Sequence, residues 1–126
     1  MESIIADVLR DLGFNVVTNT KMEARRGGQI EVDVYATKWV SGTKFSIYVS
    51  CKNWDKKVGR DVIDEEFGRV NNLKKTPHLK IIVAKELTDP AREAAQTDGF
   101  MVIGLGEKTD TRNTAEIYQI IYKALN

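Results

Sequence analysis

The chain has 126 residues, 42% hydrophobic and 29% charged, which is room for one domain, residues 1–126, with a real core and none for a second. No apolar run approaches the ~20 residues needed to cross a bilayer, and the N-terminus opens in a helical pattern rather than a charged and then apolar leader, so a cytoplasmic protein is expected. One cysteine, Cys51, excludes an internal disulfide and a cysteine-rich zinc site, and a net charge of +1 does not by itself mark a nucleic-acid binder.

Over residues 2–12, Ile4, Ile5, Val8, Leu9 and Leu12 recur at helical spacing, and Gly13 stands where a helix would close. Phe14 to Thr18 predicts a short strand, followed by a polar loop from Asn19 to Gly28. Residues 30–36 alternate, with Ile30, Val32, Val34 and Ala36 on one face and Glu31, Asp33 and Tyr35 on the other. Ser41-Gly42 marks a turn, and Lys44 to Val49 returns as the second arm of a hairpin. Val62, Ile63, Phe67, Val70 and Leu73 form the apolar stripe of a helix over 59–73, which Thr76-Pro77 ends. Ile81 to Ala84 is a continuous apolar run, as in a strand buried on both faces. Asp89-Pro90 opens the next helix, with Asp89 suited to the N-cap, and Gly99 closes it before a second buried strand over 100–104. Thr114 to Leu125 makes a last amphipathic helix. The order is αβββαβαβα, an α/β fold in which an antiparallel start feeds parallel units around one mixed central sheet flanked by helices.

Charge is clustered. Lys21, Arg25 and Arg26 fall in the polar loop, and Lys52, Lys56, Lys57 and Arg60 follow the hairpin. Such groups can hold a phosphate backbone, or can be ordinary solvated surface. Two acids ask for a reason. Aspartate is disfavoured inside strands, and Asp33 lies mid-strand. On a helical wheel Glu66 falls within the apolar stripe, where a carboxylate is costly unless it is paired or holds a metal. Across a hairpin, side chains of one face meet at about 5 Å, so residues 50 and 52, two apart, can share a face with Asp33. Cys51 then belongs to the opposite face, as a small packing residue with no histidine nearby in sequence to activate it. The only histidine, His78, is expected at the surface.

The run Glu31-Val32-Asp33-Val34, followed by Tyr48-Val49-Ser50-Cys51-Lys52-Asn53-Trp54, resembles the active-site hairpin of the PD-(D/E)xK, restriction-endonuclease-like nuclease superfamily. The second half of that hairpin usually reads acid-x-Lys. Asp33 and Lys52 match it, and Ser50 stands where the acid would be. Glu2, followed eleven residues later by Gly13-Phe14, is similar to the lead-in of archaeal Holliday-junction resolvases and Mrr-type restriction endonucleases. The segment from Cys51 to Trp54, with Val58-Gly59-Arg60-Asp61-Val62 and Gly68, resembles the Mrr-type pattern after the catalytic lysine. The resemblance covers roughly residues 2–105 in order.

It implies a divalent-metal-dependent DNA endonuclease using Mg²⁺ or Mn²⁺. Asp33 would be the principal metal ligand, joined by Glu2 and the backbone carbonyl of Cys51. Lys52 would orient the attacking water and offset charge on the phosphate. Arg25, Arg26, Lys56, Lys57 and Arg60 would grip phosphates, and Trp54 would stack on a base, wedge a junction or simply pack. The family includes dimers whose paired sites cut opposed strands, so a homodimer is one assembly open to this chain.

Ser50 leaves three accounts open. In the first, another acid has taken over. Members of the superfamily shift it to the following helix, which points to Glu66, with Glu31 the weaker candidate; an ion pair with Arg60, Arg69 or a lysine would equally explain Glu66. In the second, the chain keeps the fold as a catalytically inactive nucleic-acid-binding module or partner subunit. In the third, Ser50 replaces a natural acid. Glu2 likewise reads either as a ligand or as a first-turn acid favoured by the helix dipole.

Overall fold

The structure, a computed structural model, describes residues 1–52 and 56–126. Helix α1 (Glu2–Asp11) leads into three strands, β1 (Asn15–Glu23), β2 (Gln29–Val40) and β3 (Thr43–Lys52). Then come α2 (Arg60–Asn71), β4 (Leu79–Ala84), α3 (Asp89–Thr97), β5 (Met101–Gly104) and α4 (Thr114–Leu125). The strands form one sheet in the order β1-β2-β3-β4-β5. Pairing is antiparallel from β1 to β3 and parallel from β3 to β5. This is the mixed α/β architecture expected from the element order, with restriction-endonuclease-like topology. Among the described residues no helix is long and apolar enough to cross a membrane.

Period-two alternation divides the sheet between two cores. Ile47, Val49, Ile81, Val83 and Ile103 pack with Ile5, Val8 and Leu9 of α1 and with Ile117 and Ile121 of α4. Tyr48, Ile82 and Ala84 face the other way, against Val62, Ile63 and Val70 of α2 and Ala91 and Ala95 of α3. Each β3 side chain therefore has its partner helix decided by parity. Ser50 and Lys52 share the parity of Tyr48, on the α2 side, and Cys51 lies with the α1 core.

Local chemistry explains the element ends. Gly13 takes φ +94°, with its N–H donating to the Arg10 carbonyl (2.9 Å) and that of Phe14 to the Leu9 carbonyl (3.0 Å), the pair of hydrogen bonds that seals a helix C-terminus. The hairpin turn places both Ser41 and Gly42 at positive φ, which matches the twist of the flanking strands.

Three expectations need correction. The stretch Asn19 to Gly28 is not all loop: β1 continues to Glu23 in register with β2 as far as Gln29. It reads as polar because β1 is an edge strand with alternate residues in solvent. The N-cap of α3 is Thr88, whose Oγ accepts from the Ala91 N–H at 3.2 Å, and Asp89 sits in the first turn. Finally, Val32 does not share a core with Val34 and Ala36. Val32 packs on the α2 side and the other two on the α1 side. Between the pairs Thr18↔Val34 and Thr20↔Val32 stand Asn19, at φ 47°, and Asp33. The change of side in β2 therefore falls at Asp33, opposite the left-handed Asn19 of β1.

Candidate active site

Asp33 lies where the hairpin opens. The β2–β3 ladder runs from Val40↔Thr43 to Val34↔Val49; one further step would set Asp33 opposite Ser50. Instead the Asp33 carboxylate enters the gap, and its Oδ2 accepts the backbone N–H of Cys51 at 2.8 Å. The side chain thus takes the place of a ladder bond and is held at the C-terminal end of β3.

On the α2 side of that strand end lies a buried ionic cluster. Glu66 is 3% exposed. Lys52 Nζ donates to its Oε1 at 2.8 Å, and the Tyr48 hydroxyl donates to its Oε2 at 2.6 Å. The helical stripe predicted the burial of Glu66, and its cation turns out to be Lys52, the lysine of the hairpin motif. Burial alone would raise the Glu66 pKa. The bonds from Lys52 and Tyr48, with the charges of Lys52 and Arg69, outweigh it and leave the carboxyl below its ordinary value. The Tyr48 hydroxyl is pushed far up, first by burial, then by the charge of Glu66 and its hydrogen bond, with Asp33 adding to the effect. Tyr48 therefore feels both carboxylates and stays a neutral donor.

The sign of the Glu66 shift sets a pH dependence. Because the folded value is the lower one, the unfolded chain takes up the proton first. Stability from the cluster is complete above the ordinary glutamate value of ~4.3 and drains as pH falls through the folded value. Between about pH 5 and about pH 3 the urea midpoint of the natural chain is expected to fall more steeply than that of Glu66→Gln. Parallel slopes in the two proteins would contradict the cluster.

Ser50, 2% exposed, keeps a hydroxyl with no hydrogen-bond partner among the described residues. A buried unpaired hydroxyl costs about 1–3 kcal/mol, and this one sits in the acid's position of the motif, between Tyr48 and Lys52. On the opposite side, burial pushes the Cys51 thiol up to about 12, and the charges of Asp33 and Glu2 add to it. Burial thus favours the protonated thiol, in keeping with a packing residue of the α1 core. Glu2 opens the first turn of α1, with its Oε2 3.8 Å from the Met1 amino group. Glu31 is exposed at the start of β2; its carbonyl, not its carboxylate, is engaged, accepting from Arg69 Nη2. Among the described residues no three histidine, cysteine, aspartate or glutamate side chains converge tightly enough to hold an ion together.

The expected phosphate grips separate. Arg25 and Arg26 stand at the C-terminal end of α2, where the Arg25 N–H bonds the Asn72 carbonyl at 2.7 Å. Lys57 and Arg60 lie at the other end, paired with Glu86 (3.2 Å) and Asp64 (3.8 Å), and Lys56 is exposed beside them. Trp54 lies outside the described residues. His78 is exposed, stacked on Phe45, with Nδ1 facing the Ser46 N–H at 3.1 Å. Sequence reasoning passed over Tyr48, although the parity it shares with residues 50 and 52 was available. It noted Arg69 only as a charge partner, when its reach to the Glu31 carbonyl ties α2 to the strand carrying Asp33.

A family model described as a restriction endonuclease, Mrr_cat, matches residues 1–105. No curated protein matches the chain. Among solved structures, AF1548, a protein of unknown function, aligns with TM-score 0.71 and 18% identity, over 93% of this chain and 62% of that one. A repair endonuclease from Pyrococcus abyssi aligns with TM-score 0.57 and 19% identity, over 85% of this chain and 47% of that one. The MspJI restriction endonuclease, solved with a 27-mer oligonucleotide, aligns with TM-score 0.53 and 14% identity, over 96% of this chain and 27% of that one. The chain thus spans less than two thirds of each of these proteins, and identities this low speak for shared fold alone.

Proposed function

Because this chain belongs to the Mrr_cat restriction endonuclease family, we propose that it is a divalent-metal-dependent endonuclease hydrolysing phosphodiester bonds in DNA. The observation that carries the reading is the buried Lys52–Glu66 pair on the face of Ser50, beside an Asp33 that has left the ladder. A displaced acid has to reach the strand end from α2, and Glu66 does so.

The donor chemistry suits a hard cation such as Mg²⁺ or Mn²⁺. It consists of carboxylate and carbonyl oxygens plus the orphaned Ser50 hydroxyl. Asp33, Glu66 and the Cys51 carbonyl would hold it, with Glu2 in support. Both Glu66 oxygens already accept one bond, but a carboxylate offers about four lone-pair sites, so Lys52 and a metal can use it together. Bound there, the ion would polarise the phosphodiester and make water a better nucleophile. Lys52, 17% exposed at the end of β3, would orient that water and offset charge developing on the phosphate. Tyr48 and Lys52 together fix the Glu66 carboxylate in place, which keeps the acid ordered before substrate arrives. Arg25, Arg26, Lys56, Lys57 and Arg60 would hold phosphates on either side and make binding sensitive to salt.

A second reading, a nucleic-acid-binding module that does not cut, is favoured by one observation: no three ligating side chains yet converge among the described residues. Incubation with labelled duplex, single-stranded and four-way-junction DNA, in Mg²⁺ or Mn²⁺ against EDTA, separates the two. Cutting that needs metal is expected. Tight binding without cutting on any of these substrates would leave the second reading in its place.

A further inference from the structure

The exposed stripe of α2 changes character halfway along. Asp61, Asp64 and Glu65 occupy its N-terminal half, and Gly68 and Asn71 the C-terminal half, with Asn72 following as the C-cap. There the helix meets the Ala24–Gly28 turn, and Arg25, Arg26, Gly68, Asn71 and Asn72 line a cleft of about 380 Å³.

Three observations make this a built site. First, the turn is fastened to the helix. Ala24 bridges Leu73, the Arg25 N–H bonds the Asn72 carbonyl, and Arg25 Nη2 bonds Thr76 Oγ at 2.9 Å. Second, Arg25 and Arg26 form no ion pair among the described residues, whereas Lys57, Arg60 and neighbouring Lys74 each face a carboxylate. Third, Gly68 lies inside a helix that gains nothing from it. A Cβ added there meets nothing within 4 Å, its φ is ordinary, and glycine weakens a helix interior relative to alanine. The fold does not require this glycine, which floors the cleft with bare backbone.

We propose that this cleft is a subsite for the sugar-phosphate backbone of the nucleic acid, with Gly68 letting the strand approach the helix while Arg25 and Arg26 contact its phosphates. Asn71 and Asn72 supply carboxamides for sugar or base edges. The inference rests on the nuclease reading and adds to it the side from which substrate enters. The exposed acids Asp61, Asp64 and Glu65 disfavour phosphate along the helix itself, so from this subsite the strand runs up β2 towards Asp33. From Gly28 to Asp33 is five residues of extended chain, about 17 Å at ~3.3 Å each, which sets the subsite a few nucleotides from the cleavage point. A helix C-terminus carries negative partial charge, so the two guanidiniums must supply the attraction, and their loss should be felt strongly.

Fluorescence anisotropy with labelled duplex DNA, in EDTA and across a salt series, tests this. Gly68→Asp is expected to weaken binding by about tenfold or more, and Arg26→Ala to lower the salt slope by about one. Ala115→Asp on α4, across the sheet, adds the same charge and is expected to leave affinity nearly unchanged. Gly68→Ala, expected to raise the melting temperature, verifies that the helix tolerates a side chain. Unchanged affinity and slope in folded Gly68→Asp and Arg26→Ala would overturn the subsite while the nuclease reading stood. A natural chain that bound no DNA at all would overturn both.

Discussion

Replacing Asp33 with asparagine is expected to abolish metal-dependent cleavage, by on the order of 10³-fold or more, while leaving the chain folded. The substitution removes charge and little else. An asparagine oxygen can still accept the Cys51 N–H that Asp33 Oδ2 accepts at 2.8 Å, so the β3 end keeps its partner. What is lost is the anionic donor. Three measurements together make the argument: cutting rate, melting temperature, and DNA affinity in EDTA. The rate should collapse, the melting temperature should stay nearly level, and affinity should hold or rise as a negative charge leaves the phosphate path. Full cutting activity in a folded Asp33→Asn would show that this carboxylate is not the ligand, and would remove the centre of the proposed site.

Glu66 and Lys52 should show the largest effect on stability. Removing one partner of a buried pair strands the other, at a cost of about 3–5 kcal/mol. Glu66→Ala strands both the Lys52 ammonium and the Tyr48 hydroxyl, because both donate to the same carboxylate. Lys52→Met leaves a carboxylate 3% exposed with one neutral donor from the sheet. The double variant Lys52→Met/Glu66→Ala has neither charge of the pair left to desolvate. Its loss in urea unfolding is therefore expected to be smaller than the sum of the single losses, by about 1–3 kcal/mol. Additive losses would mean that the two side chains do not share a buried contact. Activity is expected to vanish in all three proteins, so the stability cycle, not the assay, reports on the pair.

The site couples α2 to the hairpin through more than this pair. Arg69, three residues beyond Glu66, reaches back to the Glu31 carbonyl, and its charge bears on both Glu66 and Tyr48. The acid from the helix and the acid from the strand are thus held in one arrangement by contacts across 38 residues of sequence.

Periodicity by itself determined much of this molecule. Alternation over 30–36, the apolar run at 81–84 and the helical stripes at 2–12 and 59–73 are short-range patterns, and each forms the element it implies because local backbone geometry dictates which residues can share a face. The same reasoning picked out Asp33 as misplaced in a strand and Glu66 as buried in a stripe, since the desolvation of a carboxylate is a property of its position. Other features were decided only by tertiary contacts. Where a ladder stops is a matter between two strands, and so is the change of side in β2 at Asp33, which stands opposite a left-handed Asn19 on β1. That Glu66 is answered by Lys52 rather than by Arg60 or Arg69 depends on how α2 lies over β3, as does Tyr48 as the second donor. The division of the basic residues between the two ends of α2 follows from the same packing. Spacing along a chain indicates which residues of a regular element share a face, but the change of side at Asp33, and the meeting of an aspartate, a lysine and a glutamate from three elements at one strand end, are set only by the folded sheet.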